Sequence, residues 1–323
     1  MSEDDWDDEE DYKGISKGER VCTVPASLGG QRLDQALAQL MPDFSRSRLQ
    51  KWIESGKVQV NGELCAAKDK MWGGEVIRVW PEPEPGSTPD APEAIPLDIV
   101  FEDAALLVVN KPAGMVVHPG NGNPRGTLLN ALLHHAPQLS AIPRAGIVHR
   151  LDKDTSGLLV VAKTLKAQTD LVRQLQARSV KREYYALVQG EVDRAGTVDA
   201  PLARHPIHRT RRSVHPLGKR AVTHYEVMER YPSATLLRCS LETGRTHQIR
   251  VHMAHIGHPL VGEKVYSSVR RGRGMRFPRQ ALHAHRLGLV HPYSGGKLEW
   301  EAQIPGDMAG LLEVMRHGGT WGG

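Results

Sequence analysis

Cysteine is nearly absent: Cys22, Cys65 and Cys239 are the three among 323 residues. Odd in number, widely spaced and without a Cys-x-x-Cys pair, they give no disulfide framework and are expected to be reduced thiols in a cytoplasmic protein. Long apolar runs are missing too. Residues 158–162 form one of the longest, far too short to cross a bilayer. The first residues are acidic where a secretory signal needs basic and then apolar ones, so no leader is expected. Positive charge is missing from MSEDDWDDEEDY, residues 1–12, which holds eight acidic residues. The formal net charge is nonetheless +5, which leaves +13 on the remainder. Such an excess attracts polyanions, nucleic acid above all. Residues 1–19 are expected to be a disordered acidic tail. Hydrophobic residues at 40% and charged ones at 24% fit a globular chain.

What is present divides the chain. WPEPEPGSTPDAPEAIP, residues 80–96, holds six prolines and cannot sustain a helix or central strand, so residues 79–96 are expected to be an extended linker. The unit before it, residues 20–78, reads as helix, helix, hairpin. Leu33, Ala36, Leu37 and Leu40 share one helical face, and Leu49, Trp52 and Ile53 another. Ser45 can cap the second helix, Gly56 can close it, and Asn61-Gly62 is a two-residue hairpin turn. Arg46, Arg48, Lys51 and Lys57 decorate this unit and suit RNA phosphates, though a merely solvated face would look the same.

Beyond the linker, residues 97–318 alternate short strands with a few helices. Helices are expected around residues 126–136, 165–178, 246–256 and 307–315, strands elsewhere. This pattern predicts an α+β domain on a mixed, largely antiparallel sheet, next to the smaller α/β unit.

AGIVHRLDKDTSGLLVVAKT, residues 145–164, sets Asp152 and Asp154 between two runs that look like buried strands. A calcium loop fails, because the twelfth position would be Lys163 and the flanks are not helical. A plain turn would use Asp154 to Gly157 but leaves HRLD unexplained. A carboxylate at the mouth of a sheet, flanked by arginine, stays ionised and can act as nucleophile or base.

RLDQAL, SRSRLQKWIESGKVQVNG and the hairpin after them resemble the S4 RNA-binding domain. AGIVHRLDKDTSGLLVVAK resembles the signature of the RluA-type pseudouridine synthases. NKPAGMVVHPGNGNPRGTLLNALLHH, REYYALVQG and ETGRTHQIRVHMAHIGHPLVGEKVY continue the resemblance in order, as far as residue 316. It implies an enzyme that isomerises uridine to pseudouridine within RNA and needs no cofactor. The implied catalytic group is Asp152, which would attack the ribose C1′ or remove its 2′ proton. Tyr184 matches the tyrosine that stacks on the base and assists proton loss at C5; a sheet tyrosine paired with Tyr185 would look the same, and the two point to opposite faces. Arg250 matches the partner of the aspartate, with Arg245 competing for that role. Arg150 matches the arginine that enters the RNA stack, and a phosphate contact is its plainer fate. Residues 110–114 and 155–157 are expected to shape the site's floor.

The arrangement is most similar to members acting on large-subunit ribosomal RNA, and this implies the stem-loop at the intersubunit bridge (helix 69) as substrate. A monomer working on that RNA or on a pre-ribosomal subunit is expected, with no membrane or small-molecule partner. Transfer RNA or other uridines, or a mainly RNA-binding assembly role, are the alternatives. His247, His252, His255 and His258 lack a Cys or carboxylate to complete a zinc set, so no metal is expected. The basic segments 204–220, with Arg209, Arg211 and Arg212, and 270–279 are expected to be mobile loops facing RNA.

Overall fold

Apolar residues at helical spacing form the small unit. Leu33, Ala36 and Leu37 are buried on α1 (Leu33–Leu40), and Leu49, Trp52 and Ile53 on α2 (Arg46–Glu54). The chain is described by a computed structural model for residues 19–41, 44, 46–81, 91–120, 122–208, 211–267 and 277–319. The expected acidic tail before residue 19, the cap at Ser45 and the basic stretch 270–276 lie outside the described residues. Asn61 and Gly62 both take positive φ, 51° and 87°, as the tight turn between β2 (Val58–Val60) and β3 (Glu63–Leu64) demands. With β1 (Arg20–Thr23) and β4 (Val76–Val79) they make a sheet of order β1-β4-β2-β3. The described residues fall into two compact units, one of residues 19–81 with 120 and 122, the other of residues 91–119 and those from 123 onward.

The second unit is built on β5 (Ile99–Glu102), β6 (Leu106–Lys111), β7 (Ser156–Ala162), β8 (Lys181–Gln189) and β9 (Gly196–Asp199). Its sheet is completed by β12 (Val222–Tyr231), β13 (Ala234–Leu241), β14 (Leu282–Val290) and β15 (Lys297–Glu301). The order is β5-β6-β7-β14-β8-β13-β12-β9, with β15 also on β14. β7 and β14 run parallel and the other neighbours antiparallel. Every residue of β7 is buried, as a strand covered on both faces must be. On one face α4 (Leu165–Gln176) lays Ala167, Leu171 and Leu175 against Leu158, Val160 and Val108. Elsewhere α6 (Gly306–Arg316) packs Met308, Leu311, Leu312 and Met315 around Leu187 and Leu236. Each fully buried leucine contributes about 2 kcal/mol, so these helices hold the sheet that carries the polar residues described next. α3 (Leu128–His135) and α5 (Gln248–His255) complete the helices used below.

Four expectations need correction. The run before Asp152 is no strand: residues Pro143–Gly146 form a 3-10 turn in which Arg144 and Ala145 take left-handed φ of 56° and 49°, and Ile147 makes one bridge to Val161. Consecutive left-handed residues end any ladder there. The last part of the expected linker is fastened, since Glu93 N–H donates to Asn130 O (3.0 Å) and Asn130 Nδ2 donates to Ala91 O (2.8 Å) on α3. Segment 204–220 contains part of a hairpin, β10 (Leu202–Arg204) with β11 (Arg212–Val214), because Leu202 and Val214 pack with Ala221, Val251 and Tyr266. Arg279, read as part of an RNA-facing loop, is buried and bonds Asp307 at 2.7 and 2.9 Å.

Candidate active site

Asp152 lies in the loop that enters β7, and the loop is fastened from three sides. His149 is buried, and its Nε2 accepts the Val160 N–H at 3.1 Å. Burial, with Arg182 nearby, pushes the imidazole down to about 3, so His149 is a neutral anchor. Lys111, at the end of β6, is also buried; its ammonium donates to the carbonyls of Pro112, Met115 and Lys153 at 2.9, 2.9 and 3.0 Å. Burial lowers it to about 8, with the charges of Asp152 and Asp154 opposing. Gly114 N–H and Thr155 N–H then close the turn onto Lys153 O and Asp152 O. On the third side Arg279 Nη1 donates to Asp154 O at 3.1 Å.

Gly157 explains why the chain can turn from this loop into the sheet. It takes φ +115°, and a Cβ there would overlap the Ala284 backbone of β14. Only glycine permits that approach. Ala284 pairs with Gly157 on one side and Tyr184 on the other, so one row across β7, β14 and β8 links the Asp152 loop to Tyr184.

Arg250 on α5 meets the carboxylate: its Nη1 lies 3.0 Å from Asp152 Oδ2. The rest of the guanidinium is gripped by Glu263, Nε to Oε2 at 2.8 Å and Nη2 to Oε1 at 2.9 Å. Glu263, whose side chain is fully buried, also accepts the N–H of Val265 at 2.8 Å. Burial alone would raise the Glu263 carboxyl, but the bonds and charge of Arg250 outweigh it and hold it below its ordinary value. Asp152 is likewise lowered: burial opposes, and His247 when protonated, Arg250 and Arg150 more than offset it. A fork gripped by one carboxylate and offered to a second is a rigid way to aim that second group. His247 Nε2 stands 3.8 Å from Asp152 Oδ1, and His247 Nδ1 is 2.6 Å from Tyr266 Oη.

Of the residues proposed from sequence, Asp152 and Arg250 are in contact. Arg245 lies ahead of α5, where its Nε donates to Arg220 O at 3.2 Å, while Arg250 is the arginine bonded to Asp152. Tyr184 is buried and feels the Asp152 charge; burial first, and that charge second to Arg182's opposing effect, leave its phenol above the ordinary value and therefore protonated. Tyr185 faces the other way and stacks on His285 with centroids 4.2 Å apart. Arg150 and Arg211 are exposed, and Arg212 Nη2 reaches Thr246 Oγ1 at 3.4 Å. Arg46 remains half-exposed but is tied to the buried Asp34 at 2.6 and 2.9 Å, which makes it an α1–α2 clamp as well as a surface cation. Lys51 is exposed; Arg209 and the Arg48 side chain lie outside the described residues. Residues Asn110, Lys111, Pro112, Ala113 and Ser156 line a cavity of about 610 Å³ with Arg279 and Asp307, and none of Asp152, Tyr184 or Arg250 lines it. The four histidines are dispersed: His252 bonds Thr223 Oγ1 and Ala200 O, and His258 bonds Gln189 O.

Glu263, Tyr266 and His247 were not singled out as site residues by sequence reasoning. GEKVY and GRTHQIR were both visible, yet nothing local showed that their side chains converge on Asp152.

A carboxylate aimed by a buried arginine, with a buried phenol on a central strand of the mixed sheet, defines a site for carboxylate chemistry. The comparisons narrow this. Residues 105–255 match the family model for RNA pseudouridylate synthase, and residues 31–77 match the S4 domain. "Ribosomal large subunit pseudouridine synthase D" of Nitrosomonas europaea is 60% identical over 300 residues, 91% of this chain and 87% of that one. The protein of the same name from Escherichia coli (strain K12) is 55% identical over 307 residues, 92% and 94% of the two chains. Among solved structures, human RNA pseudouridylate synthase domain containing 1 superposes with a TM-score of 0.54 at 25% identity, over 74% of this chain and 99% of that one. The chain belongs to the RNA pseudouridylate synthase family and is an RNA pseudouridine synthase carrying an S4 domain.

Proposed function

We propose that this chain isomerises uridines of large-subunit ribosomal RNA, with Asp152 as the group that acts on the sugar. The N1–C1′ bond breaks, the detached uracil turns within the site, and C5 bonds to C1′. The C5 proton leaves and N1 gains one, so product and substrate are isomers and the reaction calls for no cofactor or energy source. Asp152 acts by attack at C1′ or by removal of the 2′ proton. Arg250 keeps it ionised and aimed, and Tyr184 presents its ring to the base. A phenol that keeps its proton is a poor proton acceptor, so Tyr184 serves contact and hydrogen bonding before it serves as a base. Arg150, Arg211, Arg212, Arg245 and, on the S4 domain, Arg46, Arg48 and Lys51 follow the phosphates; Arg209 joins them by its place in the sequence.

The observation that carries this reading is the 3.0 Å pairing of Asp152 with an arginine that Glu263 has already fixed. Relatives named for the large ribosomal subunit, at 53–60% identity over about nine-tenths of the chain, support the choice of RNA. The intersubunit-bridge stem-loop is the target we infer within it. The cytoplasm is the place of work we infer, and three free cysteines fit its reducing conditions. The test is tritium release from C5-labelled uridine in whole large-subunit ribosomal RNA, followed by mapping of the modified positions. Release that maps to the bridge stem-loop is expected. Release from transfer RNA alone would overturn the substrate, and none from any RNA with folded protein would overturn the reaction.

A further inference from the structure

Asp152 has two oxygens, and Arg250 holds one of them. The other, Oδ1, faces His247 Nε2 across 3.8 Å, longer than a hydrogen bond. What stands behind His247 is more informative. Its Nδ1 is 2.6 Å from Tyr266 Oη, and that same oxygen lies 2.9 Å from the backbone N of Arg212. A backbone N–H can only donate, so it occupies a lone pair of the phenol oxygen. The phenol hydrogen can then point at His247 Nδ1, in the tautomer that sets a hydrogen on Nε2 toward the Asp152 carboxylate. An imidazole that accepts at Nδ1 carries its own hydrogen on Nε2, the nitrogen turned to Asp152. In that tautomer, which the facing carboxylate favours, the hydrogen bonds run one way, from the Arg212 backbone through Tyr266 and His247 toward Oδ1.

The parts are held. His247 caps α5 in the left-handed conformation, φ 58° and ψ 19°, which fixes where its ring leaves the backbone. Tyr266 meets the His247 ring edge-on at 5.6 Å and lies under the Arg250 guanidinium at 5.3 Å. Tyr266 also packs against Leu202, Val214, Ala221 and Val251, the apolar cluster under the β10–β11 hairpin. Arg212 begins β11, in the basic segment, so the far end of the relay is the hairpin itself.

We propose that Tyr266 and His247 are positioning residues that transmit the seating of the β10–β11 hairpin to Asp152, so that RNA held on the hairpin sets the direction of the second carboxylate oxygen. The idea rests on the pseudouridine synthase reading with Asp152 acting on the sugar. It adds that a group touching neither base nor sugar governs the rate of that step. His247 acts through its Nε2–H, and RNA seated on β10 and β11 shortens the gap to Oδ1 into a hydrogen bond.

The experiment uses the full chain, saturating C5-tritiated large-subunit ribosomal RNA and single-turnover release, with RNA affinity measured separately. Tyr266→Phe removes one hydroxyl and His247→Leu removes the ring nitrogens, while His247→Gln keeps an N–H donor near the Nε2 position. Loss of one neutral hydrogen bond predicts a rate about three- to tenfold lower in Tyr266→Phe. His247→Leu should fall at least as far, and His247→Gln should recover most of the rate. RNA affinity should stay within about twofold for all three, since the effect is confined to the step itself. The double variant that combines Tyr266→Phe with His247→Leu should be no slower than His247→Leu alone, as members of one relay are not additive. Wild-type rates in Tyr266→Phe, a loss appearing only in affinity, or equal loss in His247→Gln and His247→Leu would each overturn the relay. Should Tyr266→Phe fail to fold, the comparison of His247→Gln with His247→Leu decides alone. A wild-type protein without release would instead sink the underlying reading.

Discussion

Replacing Glu263 by alanine tests whether Arg250 is fixed from behind. The Glu263 side chain is fully buried and Arg250 is 7% exposed, and the two share bonds of 2.8 and 2.9 Å. Removing one partner of a buried ion pair costs about 3–5 kcal/mol. Arg250 would keep Asp152, so the low end, about 3 kcal/mol, is expected. For a domain of roughly 150–250 residues that corresponds to a fall in Tm of about 6–12 °C. Glu263→Gln keeps an acceptor without the charge and should lose about half as much. The pH dependence has a definite sign. The folded-state carboxyl of Glu263 is held below its unfolded value of about 4.3, so its contribution is complete above that value and is lost as pH falls through the folded one. The wild-type margin over Glu263→Gln should therefore be constant between about pH 6 and 8 and shrink below about pH 4. Calorimetry across pH, with single-turnover tritium release beside it, measures both. A Tm within about 2 °C of wild type, an unchanged rate, or a margin that grows on acidification would refute the buttress.

Other variants separate structure from RNA contact. Arg279→Ala breaks the pair with Asp307 and the bonds to the carbonyls of Asp154, Gln280 and Leu282, so it should cost about 3 kcal/mol in thermal unfolding and leave RNA affinity within about twofold. Gly157→Ala forces a side chain into the Ala284 backbone at a positive φ, and a loss of more than about 3 kcal/mol by denaturant titration is expected. Lys111→Met strands the carbonyls of Pro112, Met115 and Lys153, and about 2–3 kcal/mol should disappear together with most of the tritium release. Arg150→Ala, at an exposed position, should leave Tm unchanged; if its contact is to phosphate, the salt slope of RNA binding drops by about one.

Local physics made much of the fold readable in the sequence. Helical spacing gave Leu33 with Leu37 and Leu49 with Ile53, and Asn61-Gly62 announced its turn without any tertiary help. The site was readable only as far as residue type and motif reached. Asp152 stood out because HRLD and DTSG do not make sense as a turn alone. Its surroundings depend on contacts between distant parts of the chain: the Arg250 bond spans 98 residues, and Ser156 meets His283 across 127. No periodicity encodes such pairings. The same limit misread Arg279, since a charged residue in a basic stretch looks solvent-facing until the sheet closes over it. Burial gave Arg279 to Asp307 instead.

The most direct measurement compares wild type with Asp152→Asn in single-turnover tritium release from C5-labelled large-subunit ribosomal RNA, with binding and Tm recorded on the same preparations. The amide keeps the shape of the group beside Arg250 but is neither nucleophile nor base. Release should vanish while RNA affinity stays within about twofold and the fold is retained. Release at a rate near wild type from a folded Asp152→Asn protein would contradict the account.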